Sequence, residues 1–70
     1  MKTSARNQLA GQVAAVRPGA VNDEVELALP GGGTIVAIVT LASVRALGLA
    51  PGAEATALIK ASDVILAVND

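Results

Sequence analysis

Seventy residues, a net charge of −1 and the absence of every His, Cys, Trp, Tyr and Phe set the outer limits of this chain. Disulfides and thiolate metal sites are excluded, zinc and copper chemistry loses its usual ligands, and no field of one sign draws the protein to nucleic acid or to an anionic membrane. Apolar residues make up 53%, nearly all of them Ala, Val, Leu and Ile, so a single small domain has to build its core without aromatic bulk.

A domain of this size with no disulfide or metal to hold it relies on association. The expectation is therefore an obligate homo-oligomer that hides its aliphatic surface between copies. No stretch approaches the ~20 apolar residues of a membrane span, and no charged start leads into an apolar run. The predicted location is the cytoplasm, with no membrane partner.

In chain order, Leu9 to Arg17 reads as a first strand. Arg17-Pro18-Gly19-Ala20 is a turn signal, with Pro second and a left-handed Gly third. Val21 to Leu29 alternates, placing Val21, Asp23, Val25, Leu27 and Leu29 on one face, and only Asp23 breaks the apolar set. Pro30-Gly31-Gly32-Gly33 reverses the chain. Thr34 to Thr40 is a β-branched run that reads as a strand covered on both faces. From Thr40 the period changes: Leu41, Val44 and Leu47 share a helical stripe, with Thr40 as N-cap and Gly48 as the left-handed C-terminal residue. Ala50-Pro51-Gly52-Ala53 forms another turn. Glu54 to Lys60 and Val64 to Val68 read as the last two strands, separated by Ala61-Ser62-Asp63.

Three strands, a short helix and two more strands are the element order of an OB-type barrel, an all-β fold of five strands with its helix between strands 3 and 4. A five-stranded open sheet is the alternative. The barrel is preferred because the run from Ile35 to Val39 needs cover on both sides. No repeat or linker divides the chain, so residues 1–70 form one domain.

Several motifs carry less than they first suggest. Gly31-Gly32-Gly33 lacks the Gly-Lys-Ser/Thr ending and following helix of a phosphate loop, and reads as a hairpin turn. Ser62 and Lys60 could pair as nucleophile and base, but nothing marks an oxyanion hole or a substrate cleft. The chain reads as a non-enzyme. OB barrels often bind single-stranded nucleic acid through aromatic platforms and a basic groove. With no aromatic side chain and five cationic ones, this chain is not expected to do so.

The two ends hold the richest chemistry. Ser4-Ala5-Arg6-Asn7 and Lys60-Ala61-Ser62 bring hydroxyls, a guanidinium, an ammonium, a carboxamide and backbone N–H groups, all of them donors. Brought together, they would form a pocket for a small anion that accepts hydrogen bonds from every side. On the other reading, Ser4 and Ser62 cap turns, while Arg6 and Lys60 are solvated edge charges. From the residues alone both stand.

Ser4-Ala5-Arg6-Asn7-Gln8-Leu9, Gly11, Gly19 to Leu27, Val44 with Leu47-Gly48-Leu49, and Lys60 to Leu66 resemble the molbindins, the Mop family of TOBE or OB-type domains. The resemblance runs nearly end to end, with the motifs in order. It implies binding of molybdate or tungstate as ligand, with no cofactor and no metal held by side chains, for storage or homeostasis. It also implies a free-standing homohexamer built as a trimer of dimers. The family's main oxyanion site falls on Ser4, Ala5, Arg6, Asn7, Lys60, Ala61 and Ser62, and its segments meet across a subunit boundary. A second site, on a symmetry axis, falls on Gly19, Ala20, Val21 and Asn22. Asp63, beside the main site, is expected to point outward. The resemblance leaves open an oligomerisation or sensor module that regulates a partner, and an OB domain for nucleic acid is the remaining alternative.

A donor-only pocket suits molybdate, a tetrahedral dianion whose oxygens only accept. Hydrogen phosphate would leave its own O–H unpaired there, at a cost of about 1–3 kcal/mol.

Overall fold

Strand alternation, a bulge and a few obligatory glycines bend this chain into one curled sheet. The computed structural model describes residues 1–70 in the order β1 (Asn7–Arg17), β2 (Asn22–Leu29), β3 (Gly33–Thr40), α1 (Leu41–Leu47) and β4 (Glu54–Ile59), followed by a single 3₁₀ turn at Ala61–Asp63. All pairings are antiparallel, and the strand order across the sheet is β3-β2-β1-β4.

β1 serves two partners in succession. Its first half, Asn7 to Gln12, pairs with β4, and its second half, Gln12 to Arg17, pairs with β2. The change of partner coincides with a register shift between Val13 and Ala15, a bulge that bends and twists the strand. The turn at Ala50 to Ala53 clamps the bend: Gly52 N–H donates to the Val13 carbonyl at 2.8 Å, and Val13 N–H donates to the Ala53 carbonyl at 2.8 Å. Gly11 sits at the inside of this corner, where an added Cβ would lie 2.3 Å from the Ala28 carbonyl oxygen. Only glycine fits.

The period of two in β2 becomes burial, with Asp23, Val25 and Leu27 all inside. Asp23 keeps its place among apolar neighbours by accepting the Gly19 N–H at 3.4 Å. On the outer face, Arg17 bridges Glu24 at 3.2 Å and Glu26 at 2.9 Å. The hydrogen bond and charge of Glu26, then those of Glu24, raise the Arg17 pKa above its ordinary value. These groups are solvated, so they contribute little to stability.

The short helix follows its sequence signals. Thr40 Oγ1 accepts from Ser43 N–H at 3.1 Å, and Gly48 takes the left-handed conformation at φ 65°. Gly48 N–H to Arg45 O and Leu49 N–H to Val44 O complete a Schellman ending. Val44 drops into the core with Val13, Val25 and Leu27, and these four are the only buried apolar residues.

Three expectations are corrected. The fold is mostly β with one short helix, as the element order predicts, but it has four strands in a curled half-barrel and not five. Residues Val64 to Val68 pair with nothing in their own chain and are exposed, Ile65 at 92% and Leu66 and Val68 at 89%. β3 is not covered on both faces. It lies at a sheet edge, and Val36 and Ile38 remain 56% and 67% exposed. Gly19 does not adopt positive φ; its need for glycine is spatial, since a Cβ would meet the Asn22 carbonyl oxygen at 2.3 Å. The radius of gyration, 13.0 Å, exceeds the ~11 Å of a compact domain of this length, as a projecting tail requires.

Candidate functional site

The β1–β4 ladder decides where the donor-rich ends lie. Its terminal rung is Asn7 opposite Ile59, and the Asn7 carboxamide donates to the Ile59 carbonyl at 3.2 Å. Arg6 and Lys60 are the next residues outward on each strand. The structure thus brings Ser4 to Asn7 and Lys60 to Ser62 to one end of the sheet within a single chain.

Local bonds shape each half. Ala5 N–H donates to Thr3 Oγ1 at 3.1 Å, and Gln8 Nε2 donates back to the Ala5 carbonyl at 3.3 Å, folding the N-terminal segment over the start of β1. Thr3 and Gln8 therefore support the site, and the pattern of the sequence gave no hint of them. A Gln three residues after a loop carbonyl carries no periodic signal. On the other side, Asp63 N–H donates to the Lys60 carbonyl at 2.9 Å and Val64 N–H to Ala61 O at 3.3 Å. That 3₁₀ turn leaves the N–H groups of Ala61 and Ser62 at its open head.

The remaining donors are uncommitted. The Ser4 and Ser62 hydroxyls, the Arg6 guanidinium, the Lys60 ammonium and the N–H groups of Arg6, Ala61 and Ser62 bond to no group of the chain. Asp63 is exposed and forms no ion pair with either cation. Two positive charges and several N–H and O–H donors thus share one end of the molecule, unneutralised. A tetrahedral oxyanion matches that chemistry. No three His, Cys, Asp or Glu side chains gather to hold a metal.

Gly19, Ala20, Val21 and Asn22 are all exposed and lie at the far end of β1. Asn7 opens the eleven-residue β1 and this turn follows its far end, a span on the order of 30 Å at about 3.3 Å per residue. Gly19 N–H is already committed to the buried Asp23 carboxylate. In one chain, this turn offers an anion fewer free donors than the other end does. A cavity of about 610 Å³ lies elsewhere, between Gly11, Gln12, Ala28, Pro30, Glu54 and Thr56. Its one charged side chain is a carboxylate, which suits no anion.

Residues 3–66 match the family described as TOBE domain. The molybdenum transport protein ModE of Azotobacter vinelandii is 54% identical over 68 residues, which is 97% of this chain but 25% of that protein. The chain thus spans about a quarter of that relative's length. MopII from Clostridium pasteurianum, a solved structure, is 45% identical with a TM-score of 0.88, over 96% of this chain and 100% of its own. A structure of ModG, described as a cytoplasmic molybdate-binding protein and solved with molybdate bound, is 55% identical with a TM-score of 0.94. The match covers 99% of this chain and 49% of ModG.

Proposed function

The chain belongs to the TOBE-domain family, in its Mop group, and from that premise we propose that it binds molybdate or tungstate reversibly and without catalysis. In this reading it is a cytoplasmic homo-oligomer that stores or buffers the anion, with no further cofactor. The main site comprises Ser4, Ala5, Arg6, Asn7, Lys60, Ala61 and Ser62, completed where copies meet. The observation that carries the proposal is the Asn7–Ile59 rung, which gathers two cations and a set of unengaged donors at one end of the sheet. The molybdate held by ModG, 55% identical to this chain, supports the choice of ligand.

Donor-only chemistry accounts for selectivity. Molybdate and tungstate have the same charge and shape and nearly the same size, so the site treats them alike. Phosphate near neutral pH brings a proton that N–H groups and cations cannot accept, so only the serine hydroxyl and Asn7 carboxamide oxygens are left to pair it. Sulfate must be rejected on size. Assembly follows from the core: five of 70 residues are buried in the single chain, and the aliphatic surface left over needs a partner. The Gly19 to Asn22 turn gains a role as a second site only where several copies bring their turns together.

Native mass spectrometry with and without molybdate tests the proposal, because it reads oligomeric state and bound-anion count together. The expected result is a homo-oligomer, a hexamer on the family resemblance, that gains molybdate in whole-number steps. A folded monomer that takes up no anion would refute it. A second reading, a sensor module that regulates a partner through the same anion, draws on the greater length of the Azotobacter relative, a transport protein by name.

A further inference from the structure

Asp23 is the one buried charged side chain of the molecule, 5% exposed, on the same face of β2 as Val25 and Leu27. Its side chain has a single hydrogen bond, from the Gly19 N–H at 3.4 Å, longer than the usual range of about 2.7–3.2 Å. No cation answers the carboxylate. The turn from Pro18 to Asn22 is uncharged, and β3 carries no titratable side chain. Arg17, at the end of β1, is held by Glu24 and Glu26 on the outer face, and Arg45 of α1 is exposed and forms no ion pair. A buried charge without a counter-ion is costly to keep, and the neighbouring Val25 and Leu27 show that this face takes apolar residues. Packing alone gives no reason for a carboxylate here.

Its position does. The Gly19 to Asn22 turn directly precedes Asp23 and closes over it. Gly19 directs its N–H inward to the carboxylate, and its α-carbon lies so near Asn22 that a Cβ would sit 2.3 Å from the Asn22 carbonyl oxygen. The N–H groups of Ala20 and Val21 bond to no group of the chain, and both residues are exposed. The turn therefore has one donor already given to an internal carboxylate and two left for a ligand from outside. A fixed negative charge beneath those outer donors opposes a second negative charge above them.

We propose that Asp23 acts as a resident anion of the Gly19 to Asn22 turn, holding its inward donor and lowering its affinity for any external oxyanion, so that the main site fills first. The inference rests on the second-site reading above and deepens it: Asp23 touches no ligand, yet it sets the order in which the two classes of site fill.

The test uses the full-length oligomer with molybdate as the probe, in a Lys60→Ala, Ser62→Ala background that separates uptake at the turn from uptake at the main site. Asp23→Asn keeps the size and an oxygen to accept from Gly19 but removes the charge. Asp23→Leu removes both and continues the apolar face, with Asp23→Ala in its place should the leucine variant not assemble. In calorimetry each variant should bind molybdate at least tenfold more tightly than the background retaining Asp23. In the otherwise natural chain, Asp23→Asn should add molybdate per oligomer by native mass spectrometry. Affinity at the main site, on the order of 30 Å away along β1, should stay within twofold. A gain with asparagine alone would belong to its new amide donors and would overturn the proposal. Equal or weaker binding in both variants would overturn it as well, leaving Asp23 a support of the turn and nothing more. Failure of the proposed function reads differently, since the natural protein itself would then take up no molybdate.

Discussion

Asn7 and Ile59 close the β1–β4 ladder, and the carboxamide of one donates to the carbonyl of the other at 3.2 Å. Side chain and ladder together hold the N-terminal donors beside Lys60. Asn7→Ala leaves that carbonyl to water and frees the last rung. The expected loss is about 1 kcal/mol of stability by denaturant titration. Molybdate affinity measured by calorimetry should fall by more than this, since the donor pocket loses its alignment as well. An affinity unchanged from the natural protein would show that the rung does not position the site.

Arg6→Ala should weaken molybdate binding by about 1.5–3 kcal/mol, the range for a charge-assisted donor lost from a partly desolvated site. Arg45→Ala, on the exposed face of α1, should change it very little. Equal losses in calorimetry would mean that diffuse charge holds the anion.

Selectivity is legible in melting curves at equal ionic strength. Molybdate at a hundredfold excess over its dissociation constant should stabilise by roughly 2.7 kcal/mol. Tungstate should match it, sulfate should give less, and phosphate near pH 7 should give little. Combining Lys60→Ala with Ser62→Ala should remove most of the molybdate response and leave the anion-free oligomer intact. Stabilisation by phosphate equal to that by molybdate would rule out a site made only of donors.

Gly11→Ala places a methyl group 2.3 Å from the Ala28 carbonyl oxygen, with Leu27 Cγ at 3.1 Å. Both neighbours belong to a paired strand, so the backbone has to shift. The expected cost is at least 1–3 kcal/mol, the usual range for overpacking, read as a lower denaturant midpoint. Gly31→Ala meets no atom within 4 Å, but its φ of 89° strains any side chain, and about 1 kcal/mol is expected there. A larger loss at Gly31 than at Gly11 would contradict the corner geometry.

Much of the fold could be read from local chemistry. Thr40 and Gly48 bracket the helix because a hydroxyl cap and a left-handed glycine are written directly in residue type. The alternation of Val25 and Leu27 became burial for the same reason. The fifth strand expected at Val64 to Val68 does not form in the single chain. Val64 to Val68 has the composition of a strand, but pairing is a property of the partner, and the single chain supplies none. β3 misled likewise, since a β-branched run states what a strand prefers and not which element covers it. At the site, the donor types at residues 4–7 and 60–62 could be read, and their juxtaposition could not. It depends on the register of β1 with β4, which the bulge at Val13 helps to fix.

A chain that buries only four apolar side chains by itself has little core of its own, and the proposed assembly would make its folding more than an intramolecular matter. If the core is finished by a second copy, the protein's own concentration enters its folding equilibrium, and dilution acts as a denaturant would. Melting temperature should then climb with protein concentration, and scarce chains should be open to proteases while abundant ones are closed. Such a protein sets a threshold on its own abundance: below it there is no vessel for the anion, and above it vessels form together.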